Sequence, residues 1–264
     1  MTTRDDLVRT VIANPDADAP REAFANWGVP HGDLQGKLAQ IQLAEAHERR
    51  VGTTADANLR YSEAQVLIEQ HGGTWARDAS AIASYPRFFR GFVESVVMDV
   101  PAFLARAPEL YAIAPVREVI FIDAGPHIDA LAASPHLARL VAIEFYNRSE
   151  TAPLGDAGLR TLAESPHLGK LALLQLAWNE ISLDGVEAIA ASKMLPGLRD
   201  VSLGNNPVGG VVEEYGVDAL NFEIVRDGIS LPPLGRALEE KYGKLRWLHA
   251  PSSFRMFPPT LHDV

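Results

Sequence analysis

The chain has 264 residues, a formal net charge of −10 and no cysteine, with 47% hydrophobic and 22% charged residues. This composition is typical of a soluble globular protein that is long enough for one or two domains. The acidity argues against general binding to nucleic acids or anionic membranes, because both need clustered Lys and Arg. The lack of cysteine excludes disulfides, thiol nucleophiles and iron–sulfur clusters.

Targeting and cofactor signals are also missing from the sequence. No stretch approaches the ~18 apolar residues of a membrane helix, and the polar start Met-Thr-Thr-Arg-Asp-Asp lacks an apolar signal core. We therefore expect a cytoplasmic protein. The sequence has no phosphate loop, no dinucleotide fingerprint and no histidine pair at helical metal-ligand spacing. We expect no cofactor and no bound metal.

The first part of the chain, residues 2–75, predicts a series of helices. Pro20 opens the second of them, since a first-turn proline lacks only an amide hydrogen that would be unpaired there. The segment "DLQGKLAQIQLAEAHERR" predicts a third helix with a broad apolar band. The segment "LRYSEAQVLIEQHGGTW" predicts a fourth, which we expect Gly72-Gly73 to end.

A resemblance to a known module lies in this helical part. The stretch "VIANPDADAPREAFANWGVPHGDLQGKLAQIQLAEA" resembles the bacterial repeat-companion domain, which is found ahead of leucine-rich repeats. It departs from the family pattern at Asn26, where Asp is usual, and at Gly28, where Leu is usual. The resemblance implies a fold and no established activity. It is carried by Asp16, Pro20, Arg21, Trp27, Gly32, Asp33, Gln42 and Leu43.

A repeat runs through the second half of the chain, where Ser134-Pro135-His136-Leu137 recurs 31 residues later. From Leu168 the spacing is L-x-x-L-x-x-L-x-L-x-x-N-x-I, and the same spacing returns 27 residues later. The preceding unit has Arg148 where Asn is expected, and the unit before it is weaker. The units are Leu168, Leu171, Leu174, Leu176, Asn179 and Ile181; Leu195, Leu198, Val201, Leu203, Asn206 and Val208; Leu137, Leu140, Ile143 and Phe145; and Val116, Val119 and Ile122.

This spacing resembles the leucine-rich repeat of the ribonuclease-inhibitor-like kind. Each unit reads as a short strand followed by a helix, with Asp184 as the N-cap of one such helix. In leucine-rich repeats the Asn side chain turns inward and bonds the backbone of adjacent turns, and the resemblance implies this role for Asn179 and Asn206.

The two resemblances together predict an α/β fold. Residues 1–90 are expected to form an N-terminal all-helical module. Residues 91–264 are expected to form a short leucine-rich-repeat solenoid of strand–helix units, with a parallel sheet on its concave face. The solenoid begins with a strand at 91–99 and a helix at 101–111.

The last fifty residues lose the repeat period, and we expect residues 211–264 to cap the solenoid. Leu231 to Tyr242 predict a helix within this cap. Three aromatic residues, Trp247, Phe254 and Phe257, are interpreted as the core of the cap.

The outward positions of the predicted strands carry a Trp and a Tyr beside acidic residues, which is typical of protein-recognition surfaces. We therefore predict a non-catalytic scaffold whose concave face binds a partner protein. The net charge would favour a basic partner by long-range attraction, but such acidity is also a common solubility setting. Glu180 has no assigned role. The predicted anchors are Asp123, Glu144, Tyr146, Gln175 and Trp178. The other predicted outward residues are Phe121, Ala142, Leu173, Asp200, Ser202 and Asn205.

Two alternatives stay open. One is an enzyme or enzyme-regulating domain with a polar site in the helical module, around Asp16, Asp18, Arg21, Trp27 and Asp33. The other is a structural subunit of a larger assembly. Toxin neutralisation or an adaptor role would also be consistent with a small acidic bacterial protein, by analogy alone.

Overall fold

The computed structural model describes residues 2–147, 153–208, 223–225 and 228–249. Strands β1 to β6 form one sheet in chain order, and β7 pairs with β8. The helices are α1 (Arg4–Ala13), α2 (Ala19–Gly28), α3 (Leu34–Val51), α4 (Thr54–Trp75), α5 (Arg77–Ser80), α6 (Val100–Ile113), α7 (Ile128–Ala132), α8 (Gly155–Ala163), α9 (Leu183–Ala191) and α10 (Pro233–Tyr242). The strands are β1 (Ser84–Phe89), β2 (Phe92–Asp99), β3 (Glu118–Ile122), β4 (Ala142–Tyr146), β5 (Leu173–Gln175), β6 (Asp200–Ser202), β7 (Glu223–Val225) and β8 (Gly228–Ser230).

The predicted α/β class is confirmed, with a helical N-terminal part and a mostly parallel six-stranded sheet. Two compact units divide the chain. The first comprises the described residues up to Val97 together with Arg106–Glu118, and the second comprises Met98–Ala105 and the described residues from Val119 onward. Within the described ranges, no helix is both long and apolar enough to cross a membrane.

The helices of the first unit begin where the sequence supplies a cap or a proline. Thr3 and Asp6 form a capping box at α1, and Pro20 lies in the first turn of α2, as predicted. At α3, Asp33 Oδ1 accepts a hydrogen bond from the Gly36 amide at 2.9 Å. The buried core cluster of this unit consists of Val11, Phe24, Ala25, Ala39 and Phe92.

Helix α4 does not end at Gly72-Gly73, as the sequence predicts, but runs on to Trp75. A Cβ atom at Gly72 would lie 3.4 Å from the Phe88 ring and 3.2 Å from the Ile68 side chain. The glycine therefore gives room to neighbouring side chains, and its effect on helix propensity is outweighed by this packing.

The prediction of an all-helical module over residues 1–90 is wrong from Ser84 onward, because β1 and β2 form an antiparallel hairpin there. Arg90 and Gly91 connect the strands with φ of 50° and 88°, the positive values that two-residue hairpin turns require. A Cβ atom at position 91 would overlap Ala39 of α3. Glycine is therefore needed both for the turn and for this close approach.

In the second unit, β4, β5 and β6 are parallel, with Ile143, Leu174 and Val201 side by side. Helices α7, α8 and α9 pack against one another in the same order. One strand and one helix thus correspond to one period of the sequence. The residues that the period places inward are buried, namely Leu140, Ile143, Phe145, Leu171, Leu174, Leu176, Leu198, Val201 and Leu203.

The predicted facing of two β3 residues, Phe121 and Ile122, is wrong. Phe121, predicted to face outward, is fully buried, and its ring centroid lies 5.0 Å from that of Phe103 and 6.0 Å from that of Phe145. Ile122, predicted to face inward, is half-buried. The repeat from Phe121 to Phe145 is shorter than the later repeats, so the position of β3 within its repeat is harder to predict. An error of one residue in that position assigns a side chain to the wrong face of the strand.

Ser182, and not the predicted Asp184, caps α9, since its Oγ accepts a hydrogen bond from the Asp184 amide at 3.3 Å. Asp156 in the first turn of α8 also binds the start of α9. Its Oδ1 accepts from the amides of Ser182 at 2.8 Å and Gly185 at 3.1 Å. Successive strand–helix repeats are therefore joined at the starts of their helices as well as along their strands.

The predicted helix over Leu231 to Tyr242 is present as α10, which contacts α9. A short 3-10 helix, Arg246–His249, contacts β6. The predicted burial of Trp247 is confirmed, whereas Phe254 and Phe257 lie outside the described residues. Most of the predicted cap, 211–264, is likewise outside them.

Candidate functional site

Asn179 and Asn206 lie in the turns after β5 and β6, and their side chains are buried. Both side chains form hydrogen bonds to the backbone of neighbouring turns. Asn179 Nδ2 donates to the carbonyls of Phe145 at 3.0 Å and Ala177 at 2.9 Å, and its Oδ1 accepts from the Leu154 amide at 3.2 Å. Asn206 Oδ1 accepts from the amides of Asn179 at 2.9 Å and Ile181 at 3.0 Å. The predicted structural role of both asparagines is confirmed.

Four residues at strand ends have left-handed backbones: two flank Asn179, one precedes Asn206 and one follows β3. Trp178 has a φ of 60°, Glu180 of 56°, Asn205 of 56° and Asp123 of 49°. An L-residue in this conformation costs roughly 1–2 kcal/mol, and Asn and Asp tolerate it best. Asp123, Trp178 and Asn205 occupy equivalent positions, each two residues beyond the last inward residue of its strand. Asp and Asn suit the left-handed backbone at this position, whereas the bulky Trp178 does not.

The most exposed of the predicted anchors are the two aromatic ones. Trp178 is 68% exposed and Tyr146 is 53% exposed. The carboxylate residues Asp123 and Glu144 are half-buried. An exposed indole in an unfavourable backbone conformation is not accounted for by folding, because a smaller residue would suit the turn better.

Gln175 is only 7% exposed, so its predicted place as an outward anchor is wrong. It lies in β5 between Glu144 of β4 and Ser202 of β6. Three further outward predictions are also buried, those for Ala142, Leu173 and Asp200.

Tyr146 and Trp178 lie near each other at the carboxyl ends of adjacent strands. Glu144 pairs with Gln175, so Tyr146 lies beside Ala177, the residue before Trp178. Asn147 Nδ2 donates to the Trp178 carbonyl at 2.9 Å and ties the two strand ends together. We call the surface formed by Asp123, Glu144, Tyr146, Trp178 and Glu180 the strand-end surface.

The exposed and half-buried side chains of the strand-end surface are aromatic and acidic. Two exposed aromatic rings offer apolar area with few rotatable bonds, and the acidic side chains around them offer charge. In the part of the chain that the structure describes, no three His, Asp or Glu side chains are grouped to hold a metal ion.

Three residues of the alternative site, Asp16, Asp18 and Arg21, belong to an ion-pair cluster around the buried Glu94. Glu94 is fully buried and accepts from Arg21, Arg90 and Arg117 at 2.7, 2.6 and 3.5 Å. Arg90 also binds Asp18 at 2.8 Å, and Arg117 binds Asp16 at 3.1 Å. Three guanidinium groups thus meet three carboxylates.

Arg21 connects this cluster to the backbone. It also donates to the carbonyls of Ala17 at 2.6 Å and Pro15 at 3.0 Å, which fixes the turn between α1 and α2. Burial lowers the pKa of Arg21 to about 10, so the guanidinium stays charged at neutral pH. Asp16, Asp18 and Arg21 therefore serve to hold the first unit together.

The other two residues of the alternative site have separate local contacts. Asp33 caps α3 and binds Arg4 at 2.7 Å. The Trp27 ring stacks on His31 with 4.5 Å between centroids. The five predicted residues do not converge on one polar pocket.

Sequence reasoning missed Glu94, although the signal was present as a lone carboxylate in the apolar strand "FVESVVM". A second missed carboxylate is Glu45 of α3, which is fully buried and binds Arg49 at 2.9 Å. Burial raises the pKa of Glu45. Both belong to the first unit.

Comparison of the chain with protein-family models, with curated proteins and with solved structures finds no match.

Proposed function

We propose that this chain is a non-catalytic scaffold that binds a partner protein through the strand-end surface. The proposal includes a fold assignment: a short leucine-rich-repeat solenoid behind a helical module like the repeat-companion domain. The paired asparagines, 27 residues apart and bonded to successive turns, support the solenoid assignment. The sequence pattern alone supports the companion assignment.

The observation that carries the binding proposal is the exposure of Trp178 in a left-handed backbone conformation. Hot spots of protein interfaces are enriched in Trp and Tyr, because a large rigid ring gains much contact area and loses little entropy. Tyr146 on the neighbouring strand end gives a second such ring. The net charge of −10 favours a basic partner through long-range attraction.

The double replacement of Trp178 and Tyr146 with Ala tests this proposal. The tagged wild-type protein is used to capture partners from its native cells, which are identified by mass spectrometry and then titrated in purified form. We expect the double variant to bind the purified partner at least about thirty-fold more weakly, since hot-spot truncations cost about 2 kcal/mol or more.

The matched control is the double replacement of Tyr61 and Tyr85 with Ala, two exposed aromatic residues of the first unit. This control should bind as wild type does, and both double variants should unfold at wild-type denaturant concentrations. Equal affinity of the Trp178/Tyr146 variant and the wild type would refute the proposed surface.

A further inference from the structure

Trp178 and Glu180 flank the buried Asn179 and are fixed by its surroundings. The amides of Asn179 and Ile181 both donate to Asn206 Oδ1, at 2.9 and 3.0 Å, so the turn is held on both sides of Glu180. Both flanking residues are exposed and left-handed. Residues two apart have Cα atoms within about 7.5 Å. An indole and a carboxylate are therefore presented together on a rigid turn.

The strand-end surface is acidic throughout the residues that the structure describes there. Residues 120–127, 142–147, 173–182 and 200–208 contain no Lys and no Arg. They contain the exposed Glu180 and the half-buried Asp123 and Glu144, besides the buried Asp200. A positive group from outside is attracted to the exposed carboxylate of Glu180 and, through the net charge of −10, to the chain as a whole.

An indole next to a carboxylate suits one cation in particular. A guanidinium is planar, stacks on an aromatic face and binds a carboxylate through two parallel N–H groups, whereas an ammonium is a compact and strongly hydrated point charge. We propose that Trp178 and Glu180 together recognise an arginine side chain of the partner protein. This inference rests on the proposed function and names the chemistry of its partner.

Dye-labelled peptides of the form Gly-Arg-Gly-Arg-Gly-Arg-Gly provide the probe, with binding followed by fluorescence polarisation at low salt. Peptides with Lys or with the neutral isostere citrulline in place of Arg are the matched ligands. We expect saturable binding of the Arg peptide, at least three-fold weaker binding of the Lys peptide and no measurable binding of the citrulline peptide.

Two protein variants decide whether Trp178 and Glu180 act as a unit. Glu180→Gln is expected to weaken the Arg peptide about three- to ten-fold, while Glu240→Gln, which removes an exposed acid on α10, should weaken it less than two-fold. Trp178→Ala should abolish the preference for Arg over Lys.

Three results would each overturn the inference. They are equal effects of the two Glu replacements, equal binding of the Arg and Lys peptides, and no binding of the Arg peptide at millimolar concentration. None of these results bears on partner capture by the Trp178/Tyr146 double variant. Loss of capture in that variant combined with indifference to arginine would refute the arginine inference and leave the proposed function intact.

Discussion

Glu94→Gln is expected to lower the free energy of unfolding by about 3–5 kcal/mol, because it leaves buried guanidinium groups without their shared carboxylate. Glu94 is the only carboxylate that contacts Arg21 among the described contacts, and both side chains are fully buried. Water cannot screen the excess positive charge that remains. Chemical denaturation monitored by circular dichroism measures the loss.

The control for Glu94 is Glu109→Gln, which removes an exposed ion pair with Arg106. This variant should lose less than about 1 kcal/mol, since exposed pairs contribute little. The double variant Arg21→Met/Glu94→Leu keeps Arg90 with Asp18 and Arg117 with Asp16, so it should be more stable than Glu94→Gln alone. If Glu94→Gln is as mild as Glu109→Gln, the cluster is hydrated and our account of it is wrong.

Asn179→Ala is expected to cost about 3 kcal/mol or more, because it strips partners from the amide of Leu154 and the carbonyls of Phe145 and Ala177. Each buried backbone group left without a hydrogen bond costs roughly 1–3 kcal/mol. Asn179→Asp should be as damaging as Asn179→Ala. Its oxygens keep the acceptor role but cannot donate, and its charge would face two carbonyls.

Asn58→Ala on the exposed surface of α4 is the matched replacement for Asn179. It should change the free energy of unfolding by less than about 0.5 kcal/mol. Asn206→Ala, which removes the acceptor of two amides, should resemble Asn179→Ala. A small effect at both 179 and 206 would show that the turns hold their shape without the asparagine bonds.

The structural features that the sequence predicts well are those with a strict local period. Leu174, Leu176 and Asn179 have counterparts at the same spacing in the next unit, and all six side chains are buried as the period requires. The facing of Phe121 and Ile122 in β3 was not predictable, because the repeat that contains β3 is shorter than the later ones and both residues are apolar. Local hydrophobicity cannot choose between two such neighbours.

The candidate site was predictable in part. Tyr146 is exposed as expected, because alternation along β4 places it on the face of Glu144. Trp178 is exposed as its position in the repeat predicts, although it lies in the turn beyond β5. Gln175 is buried, and the alternation of a strand does not tell how deeply one of its faces is enclosed. The left-handed backbone at Trp178 and Glu180 has no signal in residue preference, since neither residue type favours it.

The ion-pair cluster shows a different limit. Arg21, Glu94 and Arg117 lie far apart in the chain, and their charges suggest surface positions when each is read alone. Only the fold brings them together and removes them from water. The polar residues that suggested an enzymatic site in the helical module therefore have contacts that sequence reasoning could not supply.

The most direct test of the central claim, that Trp178 is present for binding and not for folding, is the single variant Trp178→Asn. Asn occupies the equivalent turn position at 205 and tolerates the left-handed conformation better than Trp. Denaturant unfolding and affinity for the captured partner are measured on the same preparation. We predict a free energy of unfolding that is unchanged or up to about 1 kcal/mol higher, together with a loss of partner binding. A variant that is clearly less stable and yet binds the partner as wild type does would contradict our account.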